Sequence, residues 1–186
     1  MPRIEIIQPE TADGRLKEIY GEIVNKRGKI AEVHKIQSLN PETIITHMEL
    51  YLSIMFSQSP LTRAEREMIA VVVSSSNGCS YCVKHHGDAL NHYWKDQDKV
   101  NLLAEDFSEI ELSEKHKKLC EYARELTINP DIFEKTDFVK KLKSTGLNDR
   151  EILDATLVIA YFNFVNRMVL SLGVKLEKEG GQGYIY

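Results

Sequence analysis

The sequence predicts an all-α domain, and three observations carry that expectation. Apolar residues recur at helical spacing through most of the 186 residues. Recognisable helix start and stop signals punctuate those stretches. The best strand candidate, Val71-Val72-Val73, has no second segment of comparable β character to pair with.

Leu16, Ile19, Tyr20, Ile23 and Val24 mark the apolar face of a first helix, with Gly28 as its stop. Asn40-Pro41 reads as an N-cap followed by proline at the first helical position. The helix it opens carries Ile44, Ile45, Met48, Leu52, Met55 and Phe56, until Ser59-Pro60 breaks the chain. Thr62 and Glu65 have the spacing of a capping box. The helix behind them is apolar on most sides at Met68, Ile69, Val71, Val72 and Val73, which predicts deep burial. Ser74-Ser75-Ser76-Asn77-Gly78 ends it, and the next helix is expected from about Cys79 to about Trp94. Ser113 opens another, through Leu119, Tyr122, Ala123 and Leu126, ended before Pro130. A short helix over Phe138 to Lys143 is followed by Gly146 as its cap. The last long helix starts near Asn148-Asp149, runs through Ile152, Ile159, Phe162, Val165 and Val169, and is capped by Gly173. Gly180-Gly181-Gln182-Gly183 predicts an extended arm. By size this is one compact unit. Residues 1–58 read as a helical extension, 59–174 as the core and 175–186 as a tail.

The formal net charge is -4 with both signs mixed along the chain, so there is no basic footprint for nucleic acid or membrane lipid. No unbroken apolar run approaches the roughly 20 residues that span a bilayer. Met1-Pro2-Arg3-Ile4-Glu5 lacks the apolar stretch of a signal peptide, and the expected location is the cytoplasm. Three cysteines do not describe a secreted disulfide framework. Cys79 and Cys82 form a C-x-x-C, which in a reducing compartment reads as redox or metal chemistry.

If a helix begins near Cys79, then Cys79, Cys82 and His86 fall on one stripe with Val83, Leu90 and Tyr93. The N–H groups and dipole of the helix N-terminus favour a thiolate there. A histidine one turn on can accept the thiol proton. Cys82 is the thiol nearest His86, so it is expected to attack, with Cys79 resolving the product into a disulfide. Glu67, twelve positions before Cys79, lies on the buried helix among Ala64, Ala70, Val71 and Ser74. A carboxylate there needs partners, or its pKa rises and it becomes a proton carrier.

Glu67 followed by Cys79-x-x-Cys82-x-x-x-His86 resembles the signature of AhpD-like alkylhydroperoxidases in the carboxymuconolactone decarboxylase superfamily. The resemblance is greatest to the peroxidase-related branch, through Asn77-x-Cys79-x-Tyr81-Cys82-x-x-His85-His86 and the late segment Phe162-Asn163-Phe164-Val165-Asn166-Arg167. It covers roughly residues 60–174 and implies an all-helical fold assembled as trimers or hexamers, with a dimer also open. It implies peroxide reduction through a Cys79–Cys82 disulfide, with Glu67 and His86 as proton relay. No metal, haem or other bound cofactor is implied; an external dithiol, as in a dihydrolipoyl protein, reopens the disulfide. One departure stands out: Tyr81 occupies the position between the cysteines where AhpD proteins have a histidine. A phenol with a pKa of about 10 is a weak base near neutrality, so the relay is expected to run differently, from Glu67 through water.

Blander readings stand beside these. Glu67 could form a structural ion pair with Arg63 or Arg167, and His86 could be a satisfied core histidine. His85 falls on the polar side with Lys84, Asp88 and His92, which predicts a solvated role, and Tyr81 is similarly placed. Cys120 reads as inert packing, and Asn166-Arg167 as a subunit contact, a brace for the site or a buried hydrogen-bond network. The competing functions are thiol–disulfide exchange with a protein partner, a redox sensor, or a metal-binding module. The last would use Cys79, Cys82 and His86 with a fourth ligand from His85, His92 or Glu67.

Overall fold

Two helices, α4 (Arg63–Ser76) and α5 (Ser80–Trp94), run back against each other at the centre of the molecule and carry the predicted site. The structure is a computed structural model and describes residues 2–177. Before the central pair come α1 (Gly14–Arg27), α2 (Glu32–Lys35) and α3 (Pro41–Phe56). After it come α6 (Gln97–Asp106), α7 (Glu114–Ile128), α8 (Phe138–Lys143) and α9 (Asp149–Leu172). Among the described residues there is no strand, as the sequence predicts. The predicted arm at Gly180-Gly181-Gln182-Gly183 lies outside them.

α4 is buried without a break from Glu65 to Ser74, which explains its apolar character on most sides. The capping box that starts it is complete: the Glu65 N–H donates to Thr62 Oγ1 at 3.2 Å and the Thr62 N–H donates to Glu65 Oε2 at 2.8 Å. α5, α6, α7 and α9 pack around α4. Its buried side chains join Leu90, Leu103, Leu119, Ile159 and Phe162 in the main core. A smaller cluster, built on Leu16, Ile19, Tyr20 and Ile23 of α1 and Ile44 of α3, forms the N-terminal part. α3 also touches α9, so this extension is joined to the core and not merely tethered to it.

Several local expectations are corrected. Val24 and Leu52, assigned to buried faces, are 43% and 36% exposed. Asn40 caps α3 through its backbone, its carbonyl accepting from Thr43, and not through its side chain. α8 is capped at Ser144, with Gly146 (φ 90°) closing the turn beyond it. Helices α2 and α6 have no counterpart in the sequence reading: α2 is one turn long, and α6 buries only Val100 and Leu103, too few to show a period. By length and composition α9, at 24 residues, does meet the requirement for a membrane span, contrary to expectation. It buries Glu151, Asp154 and Asn166 and packs on α3, α4, α7 and α8, the surroundings of a core helix.

Thr62→Ala removes the hydroxyl that accepts from the Glu65 N–H and donates to Glu65 Oε2, and is expected to lower stability by about 1 kcal/mol. Urea unfolding checks this: the midpoint should fall at unchanged slope, and Thr62→Ser should retain most of the stability.

Candidate active site

The turn between α4 and α5 fixes the two sulfurs. Gly78 adopts φ 68°, a left-handed conformation that an L side chain would strain, and the Cys79 N–H donates to Ser74 O at 2.8 Å. From α9, the fully buried Asn166 braces this turn: Asn77 Nδ2 donates to its Oδ1 at 3.0 Å, and its Nδ2 donates to Ser74 Oγ at 3.3 Å. Cys79 is the N-cap of α5 and Cys82 sits one turn in. Both are free thiols, 0% and 2% exposed.

The cysteines share one acidic proton. The Cys82 thiol donates to the Cys79 sulfur and lowers the Cys79 pKa; burial opposes this, and the N–H groups of Cys82 and Tyr81 reinforce it. Cys82 is pushed up, first because it holds its proton on Cys79, then by burial and by the neighbouring charge, with the Asn166 side chain acting the other way. The pair therefore loses a first proton readily and a second with difficulty. The lowered pKa of Cys79 and the raised pKa of Cys82 make Cys79 the more acidic thiol of the pair.

Glu67 is fully buried and meets His86 as expected. Its Oε2 lies 2.7 Å from His86 Nδ1, and its Oε1 accepts from Arg63 Nε at 2.7 Å. Burial drives the Glu67 pKa up, but His86 and then Arg63 more than offset it, and the carboxyl lies below its ordinary value. Of the two alternatives read from the sequence, partnering holds and a raised pKa does not. Glu67 is an ionised clamp that holds the Nδ1–H of His86 and leaves Nε2 for the site. Arg167 takes no part, being exposed and bonded to Asn163. His86 also rests edge-on against Phe162, ring centroids 4.4 Å apart.

A cavity of about 80 Å³ opens on this constellation. Cys82, His86, His85, Tyr81, Tyr161 and His34 are in its wall, with Val33, Ala89, Phe162 and Val165 supplying apolar surface. Cys79 is not part of the wall. A small molecule in the cavity meets one sulfur and one imidazole whose other nitrogen is held by a buried carboxylate.

Residues 41–125 match the Carboxymuconolactone decarboxylase family. The chain is 27% identical to a peroxidase-related protein from Silicibacter sp. TM1040, with a TM-score of 0.80 over 97% of this chain and 92% of that one. The chain is similar to the carboxymuconolactone decarboxylase family over residues 41–125, and its fold is AhpD-like. A peroxidase-related protein from Ralstonia eutropha JMP134, described as an alkylhydroperoxidase AhpD core, shares the fold at 21% identity and a TM-score of 0.84, covering 97% and 94% of the two chains. The debrominase Bmp8 shares it at 18% identity and a TM-score of 0.74, covering 93% and 91%.

In this AhpD-like chain the polar side of α5 differs from expectation. His85 and Tyr81 are not solvated: Tyr81 is 6% exposed and the His85 ring lies 4.5 Å from that of Tyr81. Both are held by Glu177, whose Oε1 accepts from Tyr81 Oη at 2.9 Å and whose Oε2 lies 2.7 Å from His85 Nε2. The Glu32 N–H also donates to Glu177, at 2.8 Å. Tyr93, placed on the buried stripe, is 48% exposed. Cys120 is fully buried, its thiol pushed up to about 12, as inert packing requires. Among the described residues no group of three His, Cys, Asp or Glu is arranged to hold a metal ion. Sequence reasoning missed Glu177, His34, His47 and Tyr161, which come from elements far from the motif in the chain. The one available signal was polar residues inside otherwise apolar helices.

Burial pushes the Glu177 carboxyl up, and its bonds to His85 and the Glu32 N–H bring it down to about 2. Above its ordinary value of 4.5 it is ionised in folded and unfolded chains alike, and its bonds stabilise the fold in full. As pH falls from 4.5 towards 2 the unfolded chain takes up the proton first and the stabilisation is lost. Glu177→Gln should flatten this acid branch, measured as urea midpoint against pH.

Proposed function

We propose that this protein is a thiol peroxidase that reduces hydrogen peroxide or small organic hydroperoxides with the Cys79–Cys82 dithiol. The observation that carries the reading is the opening of Cys82 onto a narrow cavity shared with His86, itself held by the buried Glu67 carboxylate. The likeness to the peroxidase-related Silicibacter and Ralstonia proteins supports it.

The dithiol gives its first proton to His86 and leaves the charge on Cys79. Transfer of the remaining proton from Cys82 to Cys79 then delivers the thiolate at the sulfur that faces the cavity. That sulfur attacks the terminal oxygen of R–O–O–H: an S–O bond forms, the O–O bond breaks, and RO⁻ leaves with the bonding pair. The leaving oxygen is protonated to ROH by the imidazolium of His86, which Glu67 stabilises. The Cys79 thiol then attacks the Cys82 sulfenic acid, the S–S bond forms, and hydroxide leaves as water with the Cys79 proton. Two thiols and one hydroperoxide give one disulfide, one alcohol and one water. An external dithiol reopens the disulfide by exchange.

The near-complete burial of both sulfurs favours a small peroxide over a folded disulfide partner, and a slender dithiol such as a dihydrolipoyl group as reductant. Tyr81 is not the relay here: its hydroxyl is spent on Glu177, which leaves His86 as the base. An exposed apolar row on α9, Leu153, Leu157 and Phe164, fits assembly with further copies of the chain, and the expected location is the cytoplasm.

Stopped-flow oxidation of the reduced protein, with mass spectrometry of the product, tests the reading. The parent should form a Cys79–Cys82 disulfide. Cys79→Ser should stop at a Cys82 sulfenic acid, and Cys82→Ser should not turn over. A Cys82→Ser variant that consumes peroxide at the parent rate would refute the assignment of the attacking sulfur.

A further inference from the structure

The cavity beside Cys82 holds polar groups that the Glu67–His86 pair does not use. Tyr161, from α9, is 7% exposed and in the wall. His34, from α2, also lines the cavity, and its buried Nδ1 has no hydrogen-bond partner. The Tyr161 hydroxyl lies 2.8 Å from Nε2 of His47, a buried residue of α3. Either group could be the donor in that bond, and the residues behind it decide which.

Gln37 Nε2 lies 2.9 Å from Val33 O. A carbonyl oxygen only accepts, so the atom at this position is the amide nitrogen. The same nitrogen lies 2.8 Å from His47 Nδ1 and gives that atom its second hydrogen. Burial pushes the His47 pKa down to about 4, so the ring is neutral at pH 7. A neutral imidazole that accepts at Nδ1 carries its proton on Nε2. His47 is therefore the donor and Tyr161 the acceptor. The hydroxyl hydrogen of Tyr161 is left over, and it has no other partner among the described residues. Burial raises the Tyr161 pKa well above its usual value, with Tyr51 and Cys82 adding to the shift, so the phenol keeps its proton. A buried hydroxyl in a cavity wall with an unspent hydrogen is a recognition element for an acceptor atom.

We propose that Tyr161 is a further catalytic residue, whose O–H is kept free by the Gln37–His47 chain and donates a hydrogen bond to the leaving oxygen of a hydroperoxide at Cys82. This rests on the peroxidase reading above. The phenol does not give up its proton. It stabilises the charge that gathers on the departing oxygen as the S–O bond forms and the O–O bond breaks, and the proton of ROH still comes from His86. A peroxide O–H can also satisfy the unpaired nitrogen of His34. The Tyr161 hydroxyl hydrogen and the His34 nitrogen in a space of about 80 Å³ suit hydrogen peroxide or a short-chain hydroperoxide.

The test compares two reactions of the same thiol. Oxidation by hydrogen peroxide leaves an anionic oxygen in the cavity, whereas alkylation by iodoacetamide expels iodide and leaves none. Tyr161→Phe should slow oxidation by about a hundredfold, the cost of losing one such donor, at an unchanged alkylation rate. Gln37→Glu supplies a carboxylate that accepts from Nδ1–H; His47 Nε2 then becomes the acceptor and captures the Tyr161 hydrogen. It should show the same selective loss with every cavity atom in place. Nitrogen-15 NMR of the parent should show His47 protonated at Nε2, and this reading stands even where Gln37→Glu fails to fold. Oxidation of Tyr161→Phe at the parent rate, equal losses in both reactions, or a proton on Nδ1 of His47 would each overturn the assignment. A parent protein inert to every peroxide but still alkylated would instead sink the peroxidase reading, and this one with it.

Discussion

An ionised carboxylate with no access to water organises the centre of this protein. Glu67 is 0% exposed, and an unpaired charge there would cost several kcal/mol. Arg63 and His86 both have to be in place for the helix to hold it. Arg63 lies one turn earlier on α4 and comes with the helix. His86 comes from α5 and can reach only if the two helices fold back on each other through a tight turn. The turn at Gly78, braced from α9 by Asn166, thus has an electrostatic as well as a packing reason to close as it does. Closing it sets Cys79 at the head of α5 and Cys82 one turn on, beside His86. The same constraint that makes Glu67 tolerable places the sulfurs.

The two sulfurs then divide their labour by position. The Cys79 pKa is lowered and the Cys82 pKa raised by the interaction of the two side chains, so Cys79 is the better place for charge. Cys82 is the sulfur in the cavity wall. On the proposed reading, a resting thiolate on Cys79 and a cavity-facing Cys82 that receives the charge on demand form a sheltered reactive thiol. Such an arrangement limits encounters with bulky oxidants or alkylating agents while leaving a small substrate a short path.

Legibility in the sequence followed the range of the interactions. The helices with strong caps or long apolar periods, α1, α4, α5, α7 and α9, could be read because their signals lie within a few residues of each other. The pairing of Glu67 with His86 could be read because both belong to neighbouring helices with a short connection. Helix α6 was hidden because only Val100 and Leu103 face the core. His85 and Tyr81 look solvated on a helical wheel because nothing near them in sequence announces Glu177, 92 positions beyond His85. The chain from Gln37 through His47 to Tyr161 spans the turn after α2, α3 and α9 and leaves no local pattern at all.

Two polar chains thus end in one cavity, and their chemistry differs in kind. The Arg63–Glu67–His86 chain carries charge, and its imidazole can gain and lose a proton because a carboxylate compensates it. The Gln37–His47–Tyr161 chain is neutral from end to end: its imidazole is held uncharged by burial and its phenol far from ionising. A charged chain suits proton transfer, and a neutral one suits fixed hydrogen-bond donation, because neither function survives if the group does the other. Peroxide cleavage at a thiolate asks for both at once, a base for the sulfur and an oriented donor for the departing oxygen. On the proposed peroxidase reading, the C-x-x-C helix meets the first demand and Tyr161 of α9 the second, and Gln37 and His47 give the N-terminal extension a part in the chemistry as well as in the packing.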